Sequence, residues 1–509
     1  MFLRLLGFVG ALVFACAPLR AAWHEASSDH FVIYADQKPE QVRAFAERLE
    51  RYHGAMSYLL KGNANKPSPS NRVTIYVVRN DKEVRKLFGG DSKYVAGFYI
   101  PRAGGSLAII PKVDSGDSEW DLSGEEILYH EYAHHFMYGT SSQTFPLWLS
   151  EGFAEFYAQT RFDKDGSVGL GLPATQRALE MAFSVNVPIE RLLDTKAYYA
   201  NKGKAHDEFY GRAWSLFHYL FFSESRKGQL KQYLGLLNQR IPELEAAQKA
   251  FGDLKQLDKE LTAYTKQKKL SFLRIMPAAL NVGTITVRPL DAGEAAIMPV
   301  LIRSKRGVDE KIAAEILPEA RKIASQFTGN AAVLAALAEA EFDAGKDLEA
   351  IAAANAAIAL DPKNINAHLQ KAYAMARQAE AITDDKEAKK AWNAVRAQLV
   401  GVNAIENDHP LPLMHYFMTF ARSGAKPTKN AVQGLEWALE LAPYDVGLRF
   451  SVAQQQMFEK RFDDAIYTLG PIANSPHQSE MSEVAIKMIE AAETAKSIGS
   501  DVELSENAG

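Results

Sequence analysis

Five residues on an otherwise apolar stretch have the types and spacing to do chemistry: His130, Glu131, His134, Glu151 and Glu155. His130 and His134 are four apart, so on a helix they share one face, one turn above the other. Ile127, Leu128 and Phe136 make much of the rest apolar, which half-buries the ionisable cluster where unpaired charge is costly. Glu151 and Glu155 repeat the four-residue spacing further on. Two imidazoles and a carboxylate, from His130, His134 and Glu151, are a ligand set for catalytic zinc with a fourth position left open. The metal would neutralise the carboxylate and explain why a core keeps such groups. Glu131 sits at the edge of the histidine face, placed to take a proton from zinc-bound water. Glu155 would accept the spare N–H of a ligand histidine and fix its orientation. His135 lies off the ligand face and reads as structural.

These groups need rigid elements. Ser123 followed three residues later by Glu126 is a capping box and Gly139 a natural stop, predicting a helix over 124–138. Pro146 opens a second helix. Upstream, HFVIYA (30–35) and RVTIYVV (72–78) read as strands, and the stretch after Pro39 as an amphipathic helix. A Gly/Asn/Pro/Ser loop covers 62–71, DKEVRKLFGG is a short helix ended by glycines, and residues 95–112 form a hairpin turning at Gly104–Gly105. Residues 121–268 read as mostly helical, and 269–306, rich in Pro, Gly and β-branched residues, as a β-containing connector and domain boundary.

H-E-Y-A-H at 130–134 followed by W-L-S-E-G-F-A-E at 148–155 resembles the gluzincin metallopeptidases, which include thermolysin-type and aminopeptidase N-type enzymes. The E-x-x-x-E spacing is similar to the thermolysin-type E-x-x-x-D, and W-L-x-E-G-F-A is nearer to the aminopeptidases. Sixteen residues separate His134 from Glu151, somewhat fewer than in either group. The resemblance covers roughly residues 70–225 and implies a zincin core hydrolysing peptide bonds with Zn2+. It also implies a donor for the developing oxyanion. EFYGRAWSLFHYL (208–220) is similar to the aminopeptidase Y-x-K-G-A stretch, which points to Tyr210, with Arg212 where lysine is usual. The competing reading makes Tyr210 a core residue on a helix that also bears Trp214, Phe217 and Leu220; His206 is a lesser candidate donor. The strand GSLAIIP (105–111) is expected to edge the cleft and pair with an extended peptide. Aminopeptidases hold the substrate amine with a glutamate in the corresponding strand, and no carboxylate lies between Ala103 and Lys112 here. An endopeptidase is therefore expected.

From about Val308 the chain is alanine-rich helix after helix. Ala350, Ala354, Ala357 and Pro362 are spaced four, three and five apart, as are Ala431, Leu435, Ala438 and Pro443. Ala465, Leu469 and Ile472 begin the ladder again, 34 residues after Ala431. Period and ladder resemble tetratricopeptide repeats (TPR), helix pairs that bury their faces by stacking; a generic alanine-rich bundle is the alternative. Three to four units are expected, with an insert around 380–390 and with Glu341 where an aromatic is usual.

The fold expected is an α+β catalytic domain, a small mixed sheet followed by a mostly helical zincin core, joined to an all-α TPR solenoid. Its parts are a signal peptide (1–22), an N-terminal α/β part (23–120), the helical zinc-binding part (121–268), the connector (269–306), the repeats (307–500) and a tail (501–509). Arg4, an apolar run from Leu5 to Ala15 and small residues beyond it have the layout of a secretory signal, with cleavage after Ala21 or Ala22. Export would be to the periplasm or the exterior. Cys16, the one cysteine, falls in this segment and alternatively carries lipid, since 13–16 loosely resembles a lipobox. Membrane attachment is expected only in that case. Formal net charge is -4, with no basic run interleaved with aromatics, so no nucleic-acid role is read. The expected partners are a peptide or protein substrate and a protein bound by the repeats. Two other readings compete: an inactive or weakly active zincin-fold scaffold whose repeats mediate protein interaction, and, more weakly, a hydrolase of a non-peptide amide.

Overall fold

A computed structural model describes residues 23–60, 66–89, 95–112, 124–141, 143–203, 205–475 and 479–506. The expected signal segment (1–22) with Cys16, the expected capping residue Ser123 and the last three residues of the expected tail lie outside the described residues.

Strands β1 (Trp23–Ser27) and β2 (Phe31–Asp36) lead into helix α1 (Pro39–Leu60), β3 (Val73–Val78), α2 (Asp81–Phe88), β4 (Phe98–Ile100) and β5 (Leu107–Pro111). Five of the strands join β9 (Thr286–Pro289) in a six-stranded mixed sheet of order β4-β5-β3-β2-β1-β9. Strands β2, β3 and β5 run parallel, with Ile33 opposite Ile75 and Ile75 opposite Ala108. The mostly apolar text of β3, interrupted only by Thr74, has a physical reason: both faces of the sheet are covered. Val73, Ile75 and Val77 face the main core with Leu49, Tyr52, Leu128 and Phe136. Tyr76 and Val78 face the other way, against Val84, Met298 and Ile302.

The strand expected to edge the cleft does not. β5 is hydrogen-bonded on both sides, to β3 and to β4. The free edge is β4, because the FYI segment folds back from the turn at Gly104 and Gly105, whose φ values of 75° and 106° suit glycine.

Helices α3 (Gly124–Thr140) and α4 (Leu147–Ala158) follow. Gly139 does not stop α3, which continues to Thr140; Pro146 is the N-cap of α4 rather than its first residue. Beyond them come β6 (Arg161–Phe162), β7 (Val168–Leu170), α5 (Thr175–Phe183), α6 (Ile189–Leu192), α7 (Thr195–Ala200), α8 (Phe209–Phe222), α9 (Gln229–Asn238), α10 (Glu243–Phe251) and α11 (Leu254–Thr265).

The expected connector is part of both neighbours. β8 (Leu273–Ile275) pairs with β7, and β9 closes the far edge of the main sheet on β1. Helix α12 (Ala292–Lys305) then covers the sheet with Met298 and Ile302, while Ile297 and Val300 start the helical array.

That array continues through α13 (Glu310–Gln326), α14 (Ala331–Asp343), α15 (Asp347–Leu360), α16 (Ile365–Glu380), α17 (Asp385–Ile405), α18 (Pro410–Arg422), α19 (Lys429–Leu441), α20 (Val446–Phe458), α21 (Phe462–Ala473) and α22 (Glu480–Glu506). Each helix packs on the next, and α14 also packs on α16, the stacking of a helical-repeat solenoid. The ladder residues Ala350, Ala354, Ala357, Ala431, Leu435, Ala438, Ala465 and Leu469 are all buried. The blurred register around 380–390 arises from α17, at 21 residues the longest helix from α12 to α21. Glu341, which stands where an aromatic is usual, is paired with Arg321, which reaches both its oxygens, at 2.7 and 2.8 Å.

The solenoid returns to the sheet. Ser70 donates to Glu406 from its backbone N–H (2.9 Å) and its hydroxyl (2.8 Å), and the backbone N–H of Ala103 donates to Asp445 at 2.7 Å. Tyr444 packs on His135 with ring centroids 4.2 Å apart. Among the described residues no helix is long and apolar enough to cross a membrane.

Candidate metal centre

Helix α4 is the floor of the site, and all of its side chains are buried. Its start is held by Thr195, whose hydroxyl accepts the Leu147 N–H at 3.1 Å, satisfying a donor the helix leaves open. Trp148 fixes its rotation by donating from Nε1 to the Tyr233 hydroxyl at 3.2 Å. Gly152, beside Glu151, lets α4 touch α8: a Cβ there would overlap the Ala213 carbonyl. The glycine of W-L-S-E-G-F-A therefore sets the spacing between the helix of Glu151 and the helix of Tyr210.

Helix α3 lies across α4 and aims His130 and His134 at Glu151. His130 Nε2 is 3.2 Å from His134 Nε2 and 3.3 Å from Glu151 Oε2, which is 3.8 Å from His134 Nε2. Three potential ligand atoms within 4.8 Å of one another can hold one ion. Glu151 is 0% exposed, and neither carboxylate oxygen has a hydrogen-bond partner. A buried carboxylate in that condition needs a cation beside it, which is either a protonated His130 at 3.3 Å or a metal ion in the place of that proton. Nitrogen and oxygen donors at these separations suit tetrahedral zinc, and the residues fit the ion.

The supporting groups explain the orientation. His130 Nδ1 lies 3.2 Å from Glu155 Oε1, as expected of a carboxylate that orients a ligand. Arg177 on α5 grips Glu155 in turn, with bonds of 2.8 and 2.5 Å, and Glu180 with one of 2.6 Å. His134 Nδ1 is 3.2 Å from the Ser150 hydroxyl, itself 3.2 Å from that of Tyr138. Burial works against charge on His130, but the carboxylates of Glu151 and Glu155 outweigh it and raise its pKa well above the usual value. Burial also opposes ionisation of Glu155, yet His130 and Arg177 hold its pKa down at about 2.

Tyr210 opens α8, with the Arg177 guanidinium 4.9 Å from its ring centroid. The charge of Glu151, followed by burial, raises its pKa, so the phenol keeps its proton as a donor. Trp214, Phe217 and Leu220 on the same helix are core. His206 is 72% exposed and 3.8 Å from Glu180, away from the three ligands. His135 lies off the ligand face, 2.6 Å from the Tyr99 hydroxyl, and burial lowers its pKa to about 3. Half-buried Glu131 faces a cavity of about 340 Å3 that it shares with His134, Tyr99 and Tyr138.

Sequence reasoning missed four contributors. Arg177 is a lone cation 22 residues beyond Glu155, with no spacing to betray it. Tyr199 feels the Glu151 charge after burial and its pKa rises to about 12. Tyr444 and Arg449 enter the cavity from the solenoid.

Fold and site thus define a class: a mixed sheet carrying a two-helix candidate metal centre, roofed by a TPR-like helical array. Residues 126–243, which include every proposed ligand, match the model of a family described as "Protein of unknown function (DUF1570)". No curated protein matches the chain. Among solved structures it is similar to a thermophilic TPR protein in Thermus thermophilus, with 14% identity over 38% of this chain and 99% of that one (TM-score 0.34). It is also similar to MamA, at 15% identity over 39% and 99% (TM-score 0.27). Yeast Tom70 matches at 18% identity over 56% and 68% (TM-score 0.29). The helical array itself is assigned from the helix pairing and the 34-residue ladder.

Proposed function

We propose that the protein is an exported zinc-dependent peptidase whose helical repeats bind its protein substrate or a protein partner. The observation that carries this reading is a buried carboxylate without a hydrogen-bond partner, Glu151, facing two histidine nitrogens beside a cavity that holds Glu131. His130, His134 and Glu151 would hold the ion, which when bound supplies a polarised carbonyl and a more acidic water. Glu131 takes the proton as the water oxygen bonds to the scissile carbon, then delivers it to the nitrogen as the C–N bond breaks. Tyr210 donates to the oxygen that gains charge. Glu155 and Arg177 keep His130 oriented. Export rests on the layout of residues 1–22.

A second reading is a zincin-fold scaffold that works through its repeats. It is favoured by large apolar side chains left on the solenoid surface, among them Trp437, Phe458 and Tyr467.

The two part on one experiment with the chain lacking residues 1–22. Elemental mass spectrometry should find about one zinc per chain. Glu131→Gln should keep that zinc while peptide turnover falls by about 10²- to 10⁴-fold. No zinc after reconstitution, or turnover unchanged in the variant, rejects the peptidase assignment.

A further inference from the structure

The cavity beside Glu131 has two walls from distant parts of the chain. Tyr99 and Tyr138 belong to the sheet and α3; Val446, Ile472 and Met481 belong to the solenoid. Into it comes Arg449 from α20, 5% exposed. Its Nε donates to the Pro443 carbonyl and its Nη1 to the Thr468 carbonyl at 3.0 Å, leaving Nη2 without a hydrogen-bond partner among the described residues. No carboxylate among them stands within ion-pair distance; Glu440 acts on it only through its field. By contrast Arg212 of α8, 8% exposed, has Glu208 and Asp258 within ion-pair distance, and half-buried Arg177 has Glu155 and Glu180. The Arg449 guanidinium thus meets only neutral carbonyls from the protein and opens its remaining donor to the cavity, where an anion is its strongest partner.

Resting on the peptidase reading for its chemistry, we infer that Arg449 is an anion subsite that binds the C-terminal carboxylate of a peptide whose last side chain lies against the apolar wall. Guanidinium and carboxylate match as planar partners, and the pair is strong where water is excluded. A cavity of about 340 Å3 is of small-ligand size. It admits a short chain end and not a folded segment. Cleavage then falls one or a few residues from the C-terminus, in place of the internal cleavage expected from the missing glutamate in β5. The solenoid, on this inference, supplies specificity to the metal centre as well as a surface.

The test separates binding from turnover. In the zinc-loaded Glu131→Gln chain, calorimetry compares N-acetyl-Leu-Phe with its C-terminal amide. The acid should bind about 10- to 100-fold more tightly, the range of a charge-assisted hydrogen bond. Arg449→Met should erase that preference and Arg449→Lys should retain part of it. Equal binding of acid and amide in the Glu131→Gln chain overturns the inference without needing an Arg449 variant to fold. Preference for the acid, with no hydrolysis of any free-acid peptide by the zinc-loaded unsubstituted chain, keeps the subsite and removes the peptidase reading. Hydrolysis of acids and amides at equal rates, at internal bonds, does the reverse.

Discussion

Glu151 on α4 and Glu341 on α14 are both buried carboxylates on apolar helices, one in each half of the molecule. Glu341 is answered by Arg321 through two short hydrogen bonds. Glu151 faces imidazole nitrogens and makes none. The first arrangement is complete as it stands and holds two helices together. The second is closed by a proton on His130 or by an ion in its place, an exchangeable arrangement of the kind found at binding sites in a core. Glu155 lies between the two: like Glu341 it is gripped by an arginine, yet its other partner is His130, a proposed ligand.

The largest effect that would sharpen this contrast is metal removal. At free zinc about 1,000 times its Kd, chelation should cost the parent chain roughly 4 kcal/mol and lower its Tm. Glu151→Ala should show almost no response to the chelator, whereas Glu341→Ala should lose stability equally with and without zinc. Calorimetric melts of the three chains decide it, and a zinc response surviving in Glu151→Ala breaks the comparison. Next comes Gly152→Ala. The solenoid tolerates alanine at buried contacts such as Ala338 and Ala354, but α4 and α8 are closer than a methyl permits. The substitution should cost about 1–3 kcal/mol in urea unfolding, and no loss would show that α8 can yield. The smallest is Arg177→Met, which should weaken zinc about 10- to 100-fold by freeing Glu155, measured by competition with a chromophoric chelator. Unchanged affinity would place Glu155 with Glu341 as a purely structural carboxylate.

What was legible in the sequence was local. His130 with His134, Glu151 with Glu155, and the alanine ladder all sit at helical spacings, so one helix brings each set together. The β-branched run of β3 announced a strand, though not that both its faces are covered. What was not legible depends on returns of the chain. β9 finds β1 across about 260 residues, Arg177 meets Glu155 across a loop and two short strands, and Arg449 reaches the cavity from the far end of the solenoid. The misassigned sheet edge has the same origin, because three residues of β4 are too short a run to announce themselves beside β5.

The helical array is attached to the rest of the fold at its start, through Met298 and Ile302 of α12 against the sheet, and again near its middle, where Glu406 meets Ser70, Tyr444 packs on His135 and Asp445 accepts from Ala103. Mechanically it is a spring bridging the jaws of a clamp. A repeat array flexes by small rotations summed over many helix contacts. The helices between α13 and α17 thus span two fixed points, and the second of them, at Tyr444 and Asp445, stands directly before the wall that carries Arg449.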